Sequence, residues 1–98
     1  MLKLTNNMAE VALSDKSVVA FTAEWCQPCK QLKPHFAKAA VLDKNNDYFV
    51  VDVDKIDNKY IEQYNIKGIP AIFVMSNNEV VRNVSARTTE SIIEEVAQ

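Results

Sequence analysis

No long apolar run occurs in this chain. Nowhere do about 18 apolar residues follow one another, the length needed to cross a bilayer. Residues 1–8 hold no uninterrupted apolar stretch of signal-peptide length. The expectation is a soluble, unexported protein with no membrane partner, located in the cytoplasm. One-sided charge is missing too: 11 Lys and Arg stand against 13 Asp and Glu, for a net charge of -2. The two signs are interspersed, so no basic stripe points to nucleic acid and no polybasic tail to anionic lipid. Internal repeats, linkers and low-complexity segments are also absent, and 98 residues fit a single domain over 1–98. A domain of this size buries somewhat over about 60% of its unfolded surface, enough for one core. Gly68 is the only glycine, His35 the only histidine, and there are two cysteines. In a reducing cytosol two cysteines are poor staples, which favours a catalytic or metal-binding pair. Tetrahedral zinc needs two further N or S ligands, and His35 alone does not supply them without a second subunit. No metal site is expected.

Hydrophobic patterning then sets the architecture. Leu2 to Thr5 suits a short strand, and Met8, Val11 and Ala12 fall at helical spacing between Asn6 and Leu13. Val18-Val19-Ala20-Phe21 is the continuous apolar run of a strand covered on both faces. A helix is expected from Cys26 to Leu42, with Cys29, Leu32, Phe36 and Ala40 on one stripe and a kink at Pro34. Tyr48 to Val53 reads as a second central strand, so the intervening helix makes a right-handed βαβ crossover. Ile56, Tyr60, Ile61 and Tyr64 mark a further helix, with Gly68 expected to end it in a left-handed conformation. Residues 71–75 and 80–84 form two strands around a tight turn whose asparagines tolerate positive φ. A last helix follows Thr88, turning Ile92, Ile93 and Val96 inward. The fold class is α/β: a central mixed sheet of about five strands flanked by about four helices.

The two cysteines stand three residues apart in Trp25-Cys26-Gln27-Pro28-Cys29-Lys30, after a strand and at the start of a helix. There Cys26 meets unpaired backbone N–H groups and the positive end of the helix dipole, which favour thiolate over thiol. One turn on, Cys29 lies inward and within bonding reach. Cys26 is the candidate nucleophile and Cys29 the resolving thiol, with the Cys26 sulfur expected at the surface. Pro28 suits the first helical turn and stiffens the pair. His35 reads as a partly exposed helix residue. Taken alone, Pro70 is a trans proline opening an edge strand.

Four motifs in order give the chain a family resemblance: Ala23-Glu24-Trp25-Cys26-Gln27-Pro28-Cys29-Lys30, then Pro34, then Gly68-Ile69-Pro70, then Asn78-Glu79-Val80. The chain resembles the thioredoxins, a family that serves as the standard example of this cysteine spacing beside a βαβ pattern. The resemblance implies a thioredoxin fold and protein-disulfide reduction through a redox-active Cys26–Cys29 disulfide, without another cofactor. It implies that Pro70 is cis and faces the cysteines, and that Ile69 offers its backbone to an extended substrate. Trp25, Gln27, Pro28, Ile69 and the Ser85-Ala86 turn then form the rim on which partner proteins dock. Implied partners are protein disulfides, as in ribonucleotide reductase or peroxidases, and a thioredoxin reductase; a monomer is expected. The chain also departs from the family. Its usual buried Asp is Ala20 here, the partnering Lys is Val50, and Gln27 fills the place of a glycine. Losing both charges together is coherent, since a buried charge without its partner is costly. These departures suggest a specialised member, in the host's cytoplasm if the source is a phage. Two alternatives stay open: a docking subunit without turnover, and an oxidant or isomerase of shifted potential.

Overall fold

Residues 17–22 are buried along their whole length because they run through the middle of the sheet. The computed structural model describes residues 2–98; Met1, the first residue of the single domain expected over 1–98, lies outside the described residues. In chain order the elements are β1 (Leu2–Leu4), α1 (Met8–Ala12), β2 (Ser17–Thr22), α2 (Gln27–Leu42) and β3 (Asp47–Asp52). A 3-10 turn (Val53–Lys55) follows, then α3 (Asn58–Gln63), β4 (Ala71–Ser76), β5 (Glu79–Val84) and α4 (Thr89–Ala97). The five-stranded sheet is ordered β1-β3-β2-β4-β5. β1 and β2 both run parallel to β3, whereas β4 is antiparallel to β2 and to β5.

Strand alternation sends the apolar residues to two cores. Val18 and Ala20 face α2 and α4, where Leu32, Phe36, Ile92 and Val96 meet Tyr48 and Val74. Val19 and Phe21 face the opposite layer, with Met8 and Val11 of α1 and Tyr64 beside α3. This double cover is why β2 is a continuous apolar run. Of the stripe expected on α1, Met8 and Val11 are buried and Ala12 is exposed. Pro34 lies within α2, which continues to Leu42. Ala20 and Val50 are direct partners across β2 and β3, and both are buried in the first core.

The β4–β5 turn follows the expectation: Asn77 (φ 52°) and Asn78 (φ 66°) both take left-handed backbone, as a two-residue type I′ hairpin requires. A bulge follows, for Val74 opposes Arg82 while Met75 opposes Val80. Two local expectations are corrected. Ile56 lies outside the helix, because the chain makes the 3-10 turn first and α3 starts only after the Asp57 side chain caps the Lys59 N–H at 2.9 Å. Gly68 does not end α3, and no glycine has positive φ. Asn65 does, at φ 54°. Its N–H donates to the Glu62 carbonyl (3.1 Å) and the Ile66 N–H to that of Ile61 (3.0 Å). This is the Schellman pattern, and asparagine tolerates its left-handed position by local hydrogen bonding. The helix stop is therefore Asn65, three residues before Gly68.

The two positions therefore respond oppositely to alanine. Asn65→Ala places an ordinary side chain in left-handed backbone and is expected to cost about 1 kcal/mol. That is about 4–8 °C in melting temperature for a domain of this size. A Cβ added at Gly68 meets nothing within 4 Å, and its φ is not positive. Gly68→Ala is expected to be neutral or to stabilise by up to about 1 kcal/mol. Thermal melts followed by circular dichroism check both, and the reverse order would reject this assignment of the cap.

Candidate active site

The start of α2 is built from Cys26. Its backbone is extended (φ -90°, ψ 108°), which makes it the N-cap, and its sulfur accepts the Cys29 N–H at 3.2 Å. A side chain that normally caps poorly thus satisfies one of the four unpaired donors of the helix end. Gln27 and Pro28 form the first helical positions, where the missing proline N–H costs nothing. Cys26 and Cys29 are joined as a disulfide, with Cα atoms 5.3 Å apart.

Opposite lies the Ile69-Pro70 peptide, which is cis. This departs from the bare reading of an X-Pro bond and agrees with what the family resemblance implies. Ile69 packs on the small cluster of Ala23, Cys26 and Cys29, together with Val53. It lies before β4, and its backbone N–H and C=O make no hydrogen bond among the described residues. The expected surface position of Cys26 is corrected: it is 4% exposed and Cys29 0%. The tertiary cover from Val53 and Ile69, remote in sequence, closes over the disulfide.

The remaining expected rim residues divide among three surfaces. Trp25 is 68% exposed, and its indole N–H donates to the Asp54 carboxylate at 2.8 Å. Trp25, Val53, Ile61, Ile66 and Ile69 line a largely apolar groove of about 430 Å³. Pro28 and Pro70 line a second cleft. Ser85 and Pro70 border a third. The Ser85 hydroxyl and N–H are both taken by Glu95, at 3.0 and 3.1 Å, while Ala86 packs half-buried against the first core. Gln27 is exposed and His35 contacts the Thr89 hydroxyl (3.2 Å). Sequence reading missed Val53, Asp54 and Arg87, whose guanidinium bonds the carbonyls of Val84, Ala86 and Pro70. An aspartate after a strand and an arginine before a helix carry no local signal of a distant partner. Glu24 is exposed and pairs with Lys55 at 3.8 Å, a contact of little energetic weight. Among the described residues no three His, Cys, Asp or Glu gather as a metal site.

A disulfide seated on a helix N-terminus, facing a cis proline at the strand ends of a mixed sheet, defines a thiol-disulfide oxidoreductase. The thioredoxin family model matches residues 1–98. The chain belongs to the thioredoxin family. It is 30% identical over 93 residues to a thioredoxin of Chlamydia trachomatis, covering 94% of this chain and 90% of that protein. With thioredoxin H5 of Oryza sativa subsp. japonica it shares 33% over 94 residues, 95% of this chain and 69% of the relative. The solved structure of oxidised thioredoxin from Plasmodium falciparum superposes with a TM-score of 0.81 at 23% identity, covering 99% and 96% of the two chains. That last likeness is one of fold.

Proposed function

We propose that this thioredoxin-family chain reduces protein disulfides, with Cys26 as nucleophile and Cys29 as resolving thiol. In the reduced protein the Cys26 thiolate attacks one sulfur of a partner disulfide, and the partner's other sulfur leaves as a thiolate. Cys29 gives up its proton and attacks the Cys26 sulfur, which breaks the mixed disulfide and re-forms the Cys26–Cys29 bond. Two electrons pass to the partner, which leaves as a dithiol. The observation that carries this reading is the Cys29 N–H directed at the Cys26 sulfur, a donor already in place for a thiolate. Ile69 supports it, because its unpaired backbone suits an extended substrate segment whose affinity comes from main-chain hydrogen bonds.

Ala20 and Val50 leave only apolar side chains where the family's buried acid and base stand, so neither position can take the Cys29 proton. Trp25, Gln27, Pro28, Ile69, Pro70, Ser85 and Ala86 serve as the docking rim. Substrates are protein disulfides of the kind found in ribonucleotide reductase and peroxidases, a thioredoxin reductase recharges the pair, and the setting is the cytoplasm. Insulin reduction with dithiothreitol as electron source tests the activity. Insulin B-chain precipitation is expected to run well ahead of dithiothreitol alone, and Cys26→Ser is expected to return it to that background. A wild-type rate equal to the background refutes the reading.

A further inference from the structure

Pro28, which stands between the two cysteines in sequence, shares with Pro70 a cleft of about 250 Å³ whose other lining residues are Gln31, Leu32, His35 and Arg87. No carboxylate lines it. Arg87 is exposed, at the mouth of the loop between β5 and α4. One terminal nitrogen, Nη1, donates to the carbonyls of Val84 (3.1 Å) and Ala86 (2.9 Å), and the other, Nη2, to that of Pro70 (3.2 Å). Those bonds fix a long, flexible side chain against the cis-proline loop. Three of the five guanidinium N–H donors are thereby used. Two donors, the Nε–H and one N–H of Nη2, are left for an incoming anion.

Arg87 also forms no ion pair among the described residues. The ion pairs among the described residues are Lys3 with Glu10 and Lys55 with Glu24. Glu95 is the acidic group that feels Arg87, and both of its carboxylate oxygens already accept from Ser85. A cation held by three carbonyls, with two N–H donors left and no acid in its cleft, complements an anion on the partner. From this placement we infer that Arg87 is a specificity-determining residue, which favours protein disulfides carrying a Glu or Asp within two residues of the cysteine that Cys26 attacks. An extended segment on Ile69 advances about 3.3 Å per residue with side chains alternating, so a residue one or two places from that cysteine reaches the Pro70 side of the site. This inference rests on the protein-disulfide reductase reading and adds the substrate class to it.

Synthetic disulfide peptides that differ only in Glu, Gln or Lys beside the cysteine, before it or after it, test the inference. Their rates with the protein are divided by their rates with dithiothreitol, which removes the intrinsic effect of the charge on exchange. In low salt the Glu peptide is expected to react about threefold to tenfold faster than the Gln peptide, and the Lys peptide slower than either. The gap should close as salt is raised, since the contact is exposed. Arg87→Gln is expected to bring the Glu-to-Gln ratio close to one, and Arg87→Lys to keep part of it. Equal normalised rates for Glu and Gln peptides in the wild type, with all of them reduced, overturn the acid preference alone; so does a preference that survives in Arg87→Gln. Failure to reduce any of the peptides overturns the reductase reading itself. Should Arg87→Gln not fold, the wild-type rates and their salt dependence decide.

Discussion

Cys29→Ser accumulates a covalent complex with its substrate instead of turning over. Cys26 keeps its place at the helix N-terminus and still attacks, but no sulfur remains one turn away to displace the captured partner. Non-reducing gels after incubation with a disulfide substrate are expected to show the adduct, and dithiothreitol to release it. Catalysed turnover should fall at least about a hundredfold, because the two thiols act as one unit. Cys26→Ser forms no adduct, since its hydroxyl does not attack a disulfide and Cys29 is fully buried. If instead Cys26→Ser traps the partner and Cys29→Ser does not, the roles are exchanged. The 4% exposure of Cys26 makes that comparison informative, because the two sulfurs are less different in burial than their spacing implied.

The largest effect on stability is expected at Phe36. It is 0% exposed at the middle of α2 and meets the Tyr48 ring edge-on, with centroids 5.2 Å apart. Phe36→Ala loses the transfer energy of the ring and leaves a cavity among close-packed neighbours, for about 3–5 kcal/mol. Domains of this kind hold about 5–15 kcal/mol in total. At about 4–8 °C per kcal/mol, the melting temperature drops by at least about 12 °C. Tyr48 cannot shift to fill the space. Its hydroxyl donates to Asp43 at 2.8 Å, and burial, followed by the Asp43 carboxylate, raises its pKa well above the usual tyrosine range, so it remains a donor. Leu42→Ala, at an exposed site at the end of the same helix, is the control and is expected within about 0.5 kcal/mol. Urea midpoints compare the pair; equal costs would mean that α2 is not held by its inward stripe. Function is tied to this packing, because α2 carries both cysteines at its first turn.

Residues 18–21, the stripe of Cys29, Leu32, Phe36 and Ala40, and the two asparagines of the hairpin were all legible without coordinates, because each depends on its own neighbours. A period of two or 3.6, or a side chain that tolerates positive φ, is a local property of the chain. The stop of α3 was misplaced because asparagine and glycine compete for the same backbone role, and only the hydrogen bonds of Asn65 and Ile66 identify which one takes it.

By itself the sequence determined the strand and helix order, the two-sided cover of β2 and the cysteine spacing that makes a disulfide possible. Tertiary structure alone decided the burial of Cys26 under Val53 and Ile69, the hold of Asp54 on Trp25, and the seating of Arg87 on the carbonyl of Pro70. The physical reason is range. Helical and strand periodicity is set by backbone geometry within a few residues, whereas burial and electrostatic partnership depend on which distant segments the sheet order brings together.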